Sequence, residues 1–201
     1  MKVLVEENMD DLIELARTLG ATAAVIVPAD VLIVEDRFAA LCAEPHRCPS
    51  YGLAPGCPPH AMQPDVFRKL LHNYQQVLAF KIDAPVTALM GAERLEIARN
   101  IHKIAAAIEK EALRLGLPLA RGLAAGSCKE LFCQQQDVCV VLEGQLTCPH
   151  AAYARPSLSA LGVNFTLLTE TLGWQFGKID ENVSSTEEPA MGLMAGVILL
   201  A

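Results

Sequence analysis

The sequence has few aromatic residues, no excess of positive charge and no apolar run long enough to cross a bilayer. Aromatic residues make up 5% of the 201 residues and hydrophobic residues 52%, which predicts an aliphatic core of helices packed on a buried sheet. The formal net charge of −7 disfavours a nucleic-acid surface, which needs clustered Lys and Arg. The longest apolar run, 191–201, is about half the length of a membrane span. We therefore expect neither a nucleic-acid partner nor membrane insertion.

Export and nucleotide-binding signals are also missing from the sequence. The first seven residues contain no apolar segment followed by a cleavage site, so we expect a cytoplasmic protein. The glycine patterns of Walker and Rossmann nucleotide loops do not occur. In a reducing compartment, the seven cysteines favour metal binding or redox chemistry over a disulfide framework.

Two stretches of the chain share one cysteine spacing, in which three cysteines are separated by five and then eight residues. The first set is Cys42, Cys48 and Cys57, and the second set is Cys133, Cys139 and Cys148. Cys128 precedes the second set, with four residues between it and Cys133. The repeat therefore predicts two related thiolate sites, one with three cysteine ligands and one with four.

The spacing bears on which metal the thiolates bind. Zinc and the iron of iron–sulfur clusters are the metals that thiolates prefer, and structural zinc sites usually contain short Cys-x-x-Cys pairs. The chain has no Cys-x-x-Cys, and a proline follows both Cys57 and Cys148, as it follows a ligand in bacterial ferredoxin motifs. These features favour one or two [4Fe–4S] clusters. Zinc remains an alternative, as do catalytic thiols or a mononuclear metal.

The three-cysteine site lacks a fourth thiolate, and two explanations compete. A fourth ligand from His46, His60 or a carboxylate would close the site as an electron-transfer cluster or a zinc site. An open iron would instead act as a Lewis acid on a small substrate. A third arrangement is one cluster assembled from both stretches. His72 and His102 fall on predicted helices, and we expect them to be surface or core residues and not ligands.

Four cations flank the cysteines along the chain. They either offset the negative charge of a thiolate-bound cluster, hold an anionic partner or serve as ordinary solvated residues. These cations are Arg47, Arg121, Lys129 and Arg155.

The periodicity predicts a single α/β (or α+β) domain over 1–201, a mixed sheet covered by helices. Cysteine-rich loops are expected at about 42–64 and 126–150. Apolar runs predict strands at 23–27, 31–34, 77–82, 117–123, 163–168 and 191–200. Helical patterns cover 9–19, 64–71 and 92–115, with a further short helix that begins at Pro156 and ends at Gly162.

Several short motifs resemble those of a family of small predicted metal-binding proteins, a domain-of-unknown-function family of anaerobic bacteria and methanogens. The matching motifs are Cys48-Pro49-Ser50-Tyr51-Gly52, Cys57-Pro58-Pro59, Gly126-Ser127-Cys128, Cys148-Pro149, Arg155-Pro156-Ser157 and Ala160-Leu161-Gly162-Val163. The resemblance implies a cysteine-rich metal or iron–sulfur binder and supplies no biochemical activity.

Taken together, these features predict a cytoplasmic iron–sulfur protein with one four-cysteine cluster and one three-cysteine site. Its function would be electron transfer with a redox partner protein, or small-molecule chemistry at an open iron. The alternative is a structural zinc-binding adaptor module without catalytic activity, in which the metal serves only the fold. The sequence leaves enzymatic activity and self-association as a homo-oligomer open.

Overall fold

The computed structural model describes residues 2–43, 47–144, 147–174 and 189–201. The four strands are Ala23–Pro28 (β1), Gln76–Pro85 (β2), Arg121–Leu123 (β3) and Met191–Leu200 (β4). The α-helices in the described part are Lys2–Thr18 (α1), Asp36–Ala40 (α2), Pro64–Leu71 (α3), Val86–Met90 (α4), Arg94–Arg114 (α5), Cys128–Phe132 (α6) and Phe165–Thr171 (α7). None of these helices is long and apolar enough to span a bilayer.

The strands form one sheet in the order β1-β2-β4-β3, and all three strand pairs are antiparallel. The predicted class, an α/β fold in which helices cover a sheet, is confirmed. The one parallel pairing in the described part of the chain is an isolated bridge between Ala124 and Ser157, beside the edge strand β3. β2 and β4 pair along ten positions in the middle of the sheet. The apolar run at 191–200 is therefore a central strand, buried on both faces at its C-terminal end.

Each face of the sheet carries its own hydrophobic cluster, as the alternation of side chains along a strand requires. Ile198 and Leu200 of β4 point towards α1 and α5, against residues such as Leu12 and Ile104. The intervening Leu199 faces the other cluster, which contains residues of α3, α7 and the loops. The second cluster brings the loop-rich part of the chain onto the sheet.

Three predicted strands differ from the structure. Residues 31–34 form the end of a 3₁₀ turn, Ala29–Val31, followed by an isolated bridge between Val34 and Val163. Residues 163–168 are mostly helical, because the Asn164 side chain accepts a hydrogen bond from the Leu167 N–H at 3.1 Å and caps α7. Of the strand predicted at 117–123, only the last three residues form a strand in the structure. Apolar composition alone does not distinguish a short strand from a capped helix.

Gly196 of β4 provides the first test of this packing. A Cβ at this position would lie 2.4 Å from the tip of the Phe80 ring and 3.0 Å from the Leu123 carbonyl oxygen. Because Phe80 is fully buried, Gly196→Ala should lower the free energy of unfolding by about 1–3 kcal/mol, measured by urea denaturation. Gly192→Ala on the same strand is the matched control, since its Cβ would meet only side-chain ends, Leu89 at 2.6 Å and Val86 at 3.6 Å. Equal costs at both positions would contradict this packing.

Candidate metal centre

The two cysteine-rich loops lie against each other beside β3. Ala54, Pro55 and Gly56 of the first loop line a cavity together with residues that flank the second loop. The backbones approach closely at Gly56, where a Cβ would lie 3.3 Å from the Pro156 Cα. The cysteines of the two sets, separated by about 70 residues or more along the chain, are thereby brought to one end of the molecule.

Cys128 and the three cysteines that follow it, from here on counted together as the second set, line a single cavity with a volume of about 340 Å³. They are Cys128, Cys133, Cys139 and Cys148. Burial and, after it, the neighbouring thiols, Cys57 first among them, together raise the pKa of the Cys128 thiol to about 12. The His150 N–H donates a hydrogen bond to the Cys148 sulfur at 3.4 Å. The grouping predicted from the repeat is thus present as four thiols around one space.

The first set lies in a loop ordered by turns. The Cys48 N–H donates to the Cys42 carbonyl at 3.0 Å, and the His60 and Ala61 N–H groups both donate to the Cys57 carbonyl at 2.9 Å. Burial raises the pKa of the Cys42 thiol, and the Cys48 and Cys57 thiols raise it further. The Cys48 and Cys57 thiols therefore lie close enough to Cys42 to act on it electrostatically.

A hydrogen bond joins the two sets directly. The Cys57 thiol, which is buried, lies 3.2 Å from the Ser127 hydroxyl, to which it donates. Ser127 occupies the N-cap position of α6, yet its side chain makes no capping bond. The hydroxyl that usually caps a helix is here directed at a thiol of the other set. Sequence analysis missed this contact, because the two residues are 70 positions apart.

The seven cysteines are free thiols, and their chemistry fits a soft metal or an iron–sulfur cluster. Among the described residues, however, no three His, Cys, Asp or Glu side chains converge closely enough to hold one metal ion. The thiols of the second set surround a space instead of meeting at a point. Assignment of all seven cysteines as ligands stays a prediction.

A buried histidine of α5 holds both ends of the four-cysteine segment. His102 is fully buried, its Nε2 lies 3.1 Å from the Ala125 carbonyl, and its Nδ1 accepts a hydrogen bond from the Arg155 N–H at 3.0 Å. Only the neutral tautomer with a proton on Nε2 satisfies both bonds. Burial lowers the pKa of His102 to about 4. The prediction that His102 is not a ligand but a core residue agrees with this environment.

An ion pair two turns further along α5 reinforces this attachment. The Glu109 carboxylate lies 2.8 Å from the Arg155 guanidinium and also accepts the Gly122 N–H of β3. A second nitrogen of the same guanidinium donates to the Ala151 and Ala154 carbonyls. The sequence left three roles open for Arg155, namely offsetting cluster charge, holding an anionic partner or an ordinary solvated role, and the structure shows its guanidinium bonded to protein groups. A His and a Glu seven residues apart on the buried stripe of α5 were the sequence signal for both contacts.

Aromatic rings cover one side of the four-cysteine segment. Phe132, the last residue of α6, meets His102 edge to face at a centroid distance of 5.5 Å and stacks on His150 at 5.7 Å. Tyr153 lies 6.4 Å from the same ring. These rings pack the four-cysteine segment against α5.

The remaining histidines and cations singled out in the sequence do not share one location. His46 falls outside the described residues, and both His60 and His72 are exposed. The Arg47 guanidinium lies over the Tyr51 ring at 5.1 Å. Lys129 is buried and donates to the Cys133 carbonyl at 2.8 Å and to the Gln136 carbonyl, so it holds the turn that follows α6. Arg121 lines a different cavity, beside the first.

A family model described as "Predicted metal-binding protein (DUF2284)" matches residues 25–199, nearly the whole chain and all seven cysteines. The chain belongs to this family. No curated protein and no solved structure matches it. Membership of DUF2284 agrees with the resemblance noted in the sequence, and the family description is that of a predicted metal-binding protein. The family description does not specify which metal is bound.

The double hydrogen bond of His102 gives a stability prediction. His102→Ala leaves a carbonyl and an N–H without their partner, so the free energy of unfolding at pH 7 should fall by roughly 2–4 kcal/mol in urea denaturation. The exposed His72 supplies the matched control, His72→Ala, expected within about 0.5 kcal/mol of the wild type.

The same residue predicts a pH dependence. Because the pKa of His102 is lowered to about 4 in the folded protein from an ordinary 6.5, the unfolded chain binds the extra proton between these values. This contribution is fully present above about pH 6.5 and is lost as the pH falls to about 4, by up to about 3 kcal/mol. His72→Ala should keep this loss and His102→Ala should lack it. Identical pH profiles for the two variants would rule the assignment out.

Proposed function

We propose that this chain is an iron–sulfur protein whose second cysteine set holds a [4Fe–4S] cluster. One observation carries the proposal, namely that the four thiols of that set share one cavity of about 340 Å³. Four thiolates complete the ligand set of such a cluster, one for each iron. When bound, the cluster would supply one-electron transfer or, at an open iron, Lewis-acid activation of a small molecule.

The distribution of the thiols favours a cluster over a single zinc ion. A zinc ion with four cysteine ligands draws every sulfur to about 2.3 Å from one point. No group of three ligating side chains in the described part of the chain converges in this way. Thiols placed around a larger space match a group whose irons are each bound by a separate sulfur.

The surroundings of the cavity also suit a thiolate-bound cluster. Its lining is mostly apolar, with residues such as Pro55, Val141 and Ala154 between the thiols. The His150 N–H already donates to the Cys148 sulfur, the kind of bond that tunes the potential of a cluster. Burial raises the pKa of the Cys133 thiol, and the buried positive charge of Lys129 opposes this rise.

The first set would form the second site, with Cys42, Cys48 and Cys57 as its ligands. Through the Cys57–Ser127 hydrogen bond this site lies next to Cys128 of the other set. Clusters held by the two sets would be adjacent at this contact, and one-electron exchange is the chemistry that they would supply there. The protein would then serve electron transfer with a redox partner protein, or act on a small substrate at the three-cysteine site.

Metal analysis of protein purified without oxygen tests the proposal. We expect a brown protein with about four irons and four acid-labile sulfides per chain for each cluster, hence about eight of each for two clusters. Cys139→Ser should remove one complement of about four irons and leave the protein folded by circular dichroism. A colourless protein with zinc and no sulfide would establish the structural zinc module instead.

The exposed His60 tests whether the three-cysteine site is open. If its iron has no fourth protein ligand, His60→Ala should leave the iron content and the visible spectrum unchanged, and a small thiol or cyanide should perturb that spectrum. His72→Ala is the control for loss of an exposed imidazole. Loss of about four irons in His60→Ala alone would identify a closed site with a histidine ligand.

A further inference from the structure

A second cavity lies beside the four-cysteine cavity, and we propose that it binds a small aliphatic carboxylate with Arg121 as the residue that holds the carboxylate. Its volume is about 330 Å³, at the lower end of the range of about 300–1,000 Å³ typical of small-molecule sites. The inference does not depend on the identity of the metal, because none of the seven cysteines lines this cavity.

Of the three charged side chains that line this cavity, two pair with each other and the third, Arg121, has no ion-pair partner among the described residues. Glu109, Arg121 and Arg155 all line it. Glu109 and Arg155 neutralise each other through an ion pair of 2.8 Å, and the Arg155 guanidinium is further occupied by two carbonyls. The Arg121 side chain makes no ion pair or hydrogen bond to any described residue. In a chain with a net charge of −7, an unmatched guanidinium at a cavity marks a place for an anion.

The rest of the lining is apolar. α3 contributes Phe67 and Leu70, and further apolar side chains come from Met62, Leu161 and Leu199. Most of a bound molecule's surface would therefore contact hydrocarbon, and only one end would meet the guanidinium. An aliphatic chain with one terminal carboxylate has this distribution of polarity.

One guanidinium fork matches one carboxylate in a bidentate arrangement. A phosphate would leave further oxygens without donors beside apolar side chains. These considerations select a monocarboxylate over a phosphate ester.

The position of the cavity relates it to the cysteines. Pro55, Gly56, Arg155 and Pro156 line both cavities, so the two share a wall. A carboxylate bound at Arg121 would lie on the other side of that wall from the four thiols.

Isothermal titration of the protein as purified, with its metal, tests the proposal with hexanoate as the probe. Hexanoate should bind, and both hexylamine and hexan-1-ol should bind at least about tenfold more weakly, because each lacks the negative charge. Arg121→Gln should weaken hexanoate binding by about tenfold or more, and Arg121→Lys should retain part of it. Arg17→Gln, which removes the same charge from an exposed position on α1, should leave binding unchanged.

A substitution in the apolar lining tests the cavity without changing Arg121. Leu70→Trp should fill the apolar part of the cavity and abolish hexanoate binding, with the thermal midpoint of unfolding measured alongside to show that each variant is folded. The proposal is overturned if no heat is detected up to about 10 mM hexanoate. Equal weakening by Arg121→Gln and Arg17→Gln would also overturn it, as would equal affinity for hexanoate and hexan-1-ol.

Discussion

One buried imidazole connects the cysteine segment to the folded core. His102 donates to the Ala125 carbonyl before the four cysteines and accepts the Arg155 N–H after them, so both ends of a segment of about 30 residues meet on one ring of α5. The bonds require a neutral ring, and burial keeps it neutral by lowering the pKa of His102. Because the short helix α6 is the only regular element in the described part of this segment, closing the segment at one point removes much of the conformational freedom that its four separated thiols would otherwise keep.

The sheet supplies the platform for this arrangement. β3 is a short edge strand, and the chain that leaves the second cysteine loop returns to it, with the Ala124 N–H donating to the Pro156 carbonyl at 2.8 Å and the Leu158 N–H to the Ala124 carbonyl at 3.0 Å. This return covers an edge that would otherwise expose unpaired groups. Two residues beyond Ala124, Gly126 has a φ of +81° and turns the chain into α6, which begins at Cys128. The elements that complete the sheet thus also position the thiols.

The two cysteine sets lie side by side in one region of the molecule. The Cys57 thiol reaches Ser127, and Cys57 is the first of the neighbouring thiols that raise the pKa of Cys128. A metal group at either set would therefore influence the charge and potential of the other. The cavity that contains Arg121 shares a wall with the same region, so redox chemistry and recognition of a small anion would be separated by only Pro55, Gly56, Arg155 and Pro156.

Local sequence determined a large part of this molecule. The helix at 94–114, the central strand at 191–200, the irregular first cysteine loop and the grouping of Cys128 with the second set all follow from periodicity, proline content and spacing, which act over a few residues. Tertiary structure alone decided the antiparallel strand order, the helical state of 165–171, the Cys57–Ser127 contact and the attachment of Arg155 to His102 and Glu109. Each of these depends on groups that lie far apart along the chain or on a single capping side chain that outweighs local apolar composition. Spacing could therefore predict which thiols belong together, and only packing could bring the two sets side by side.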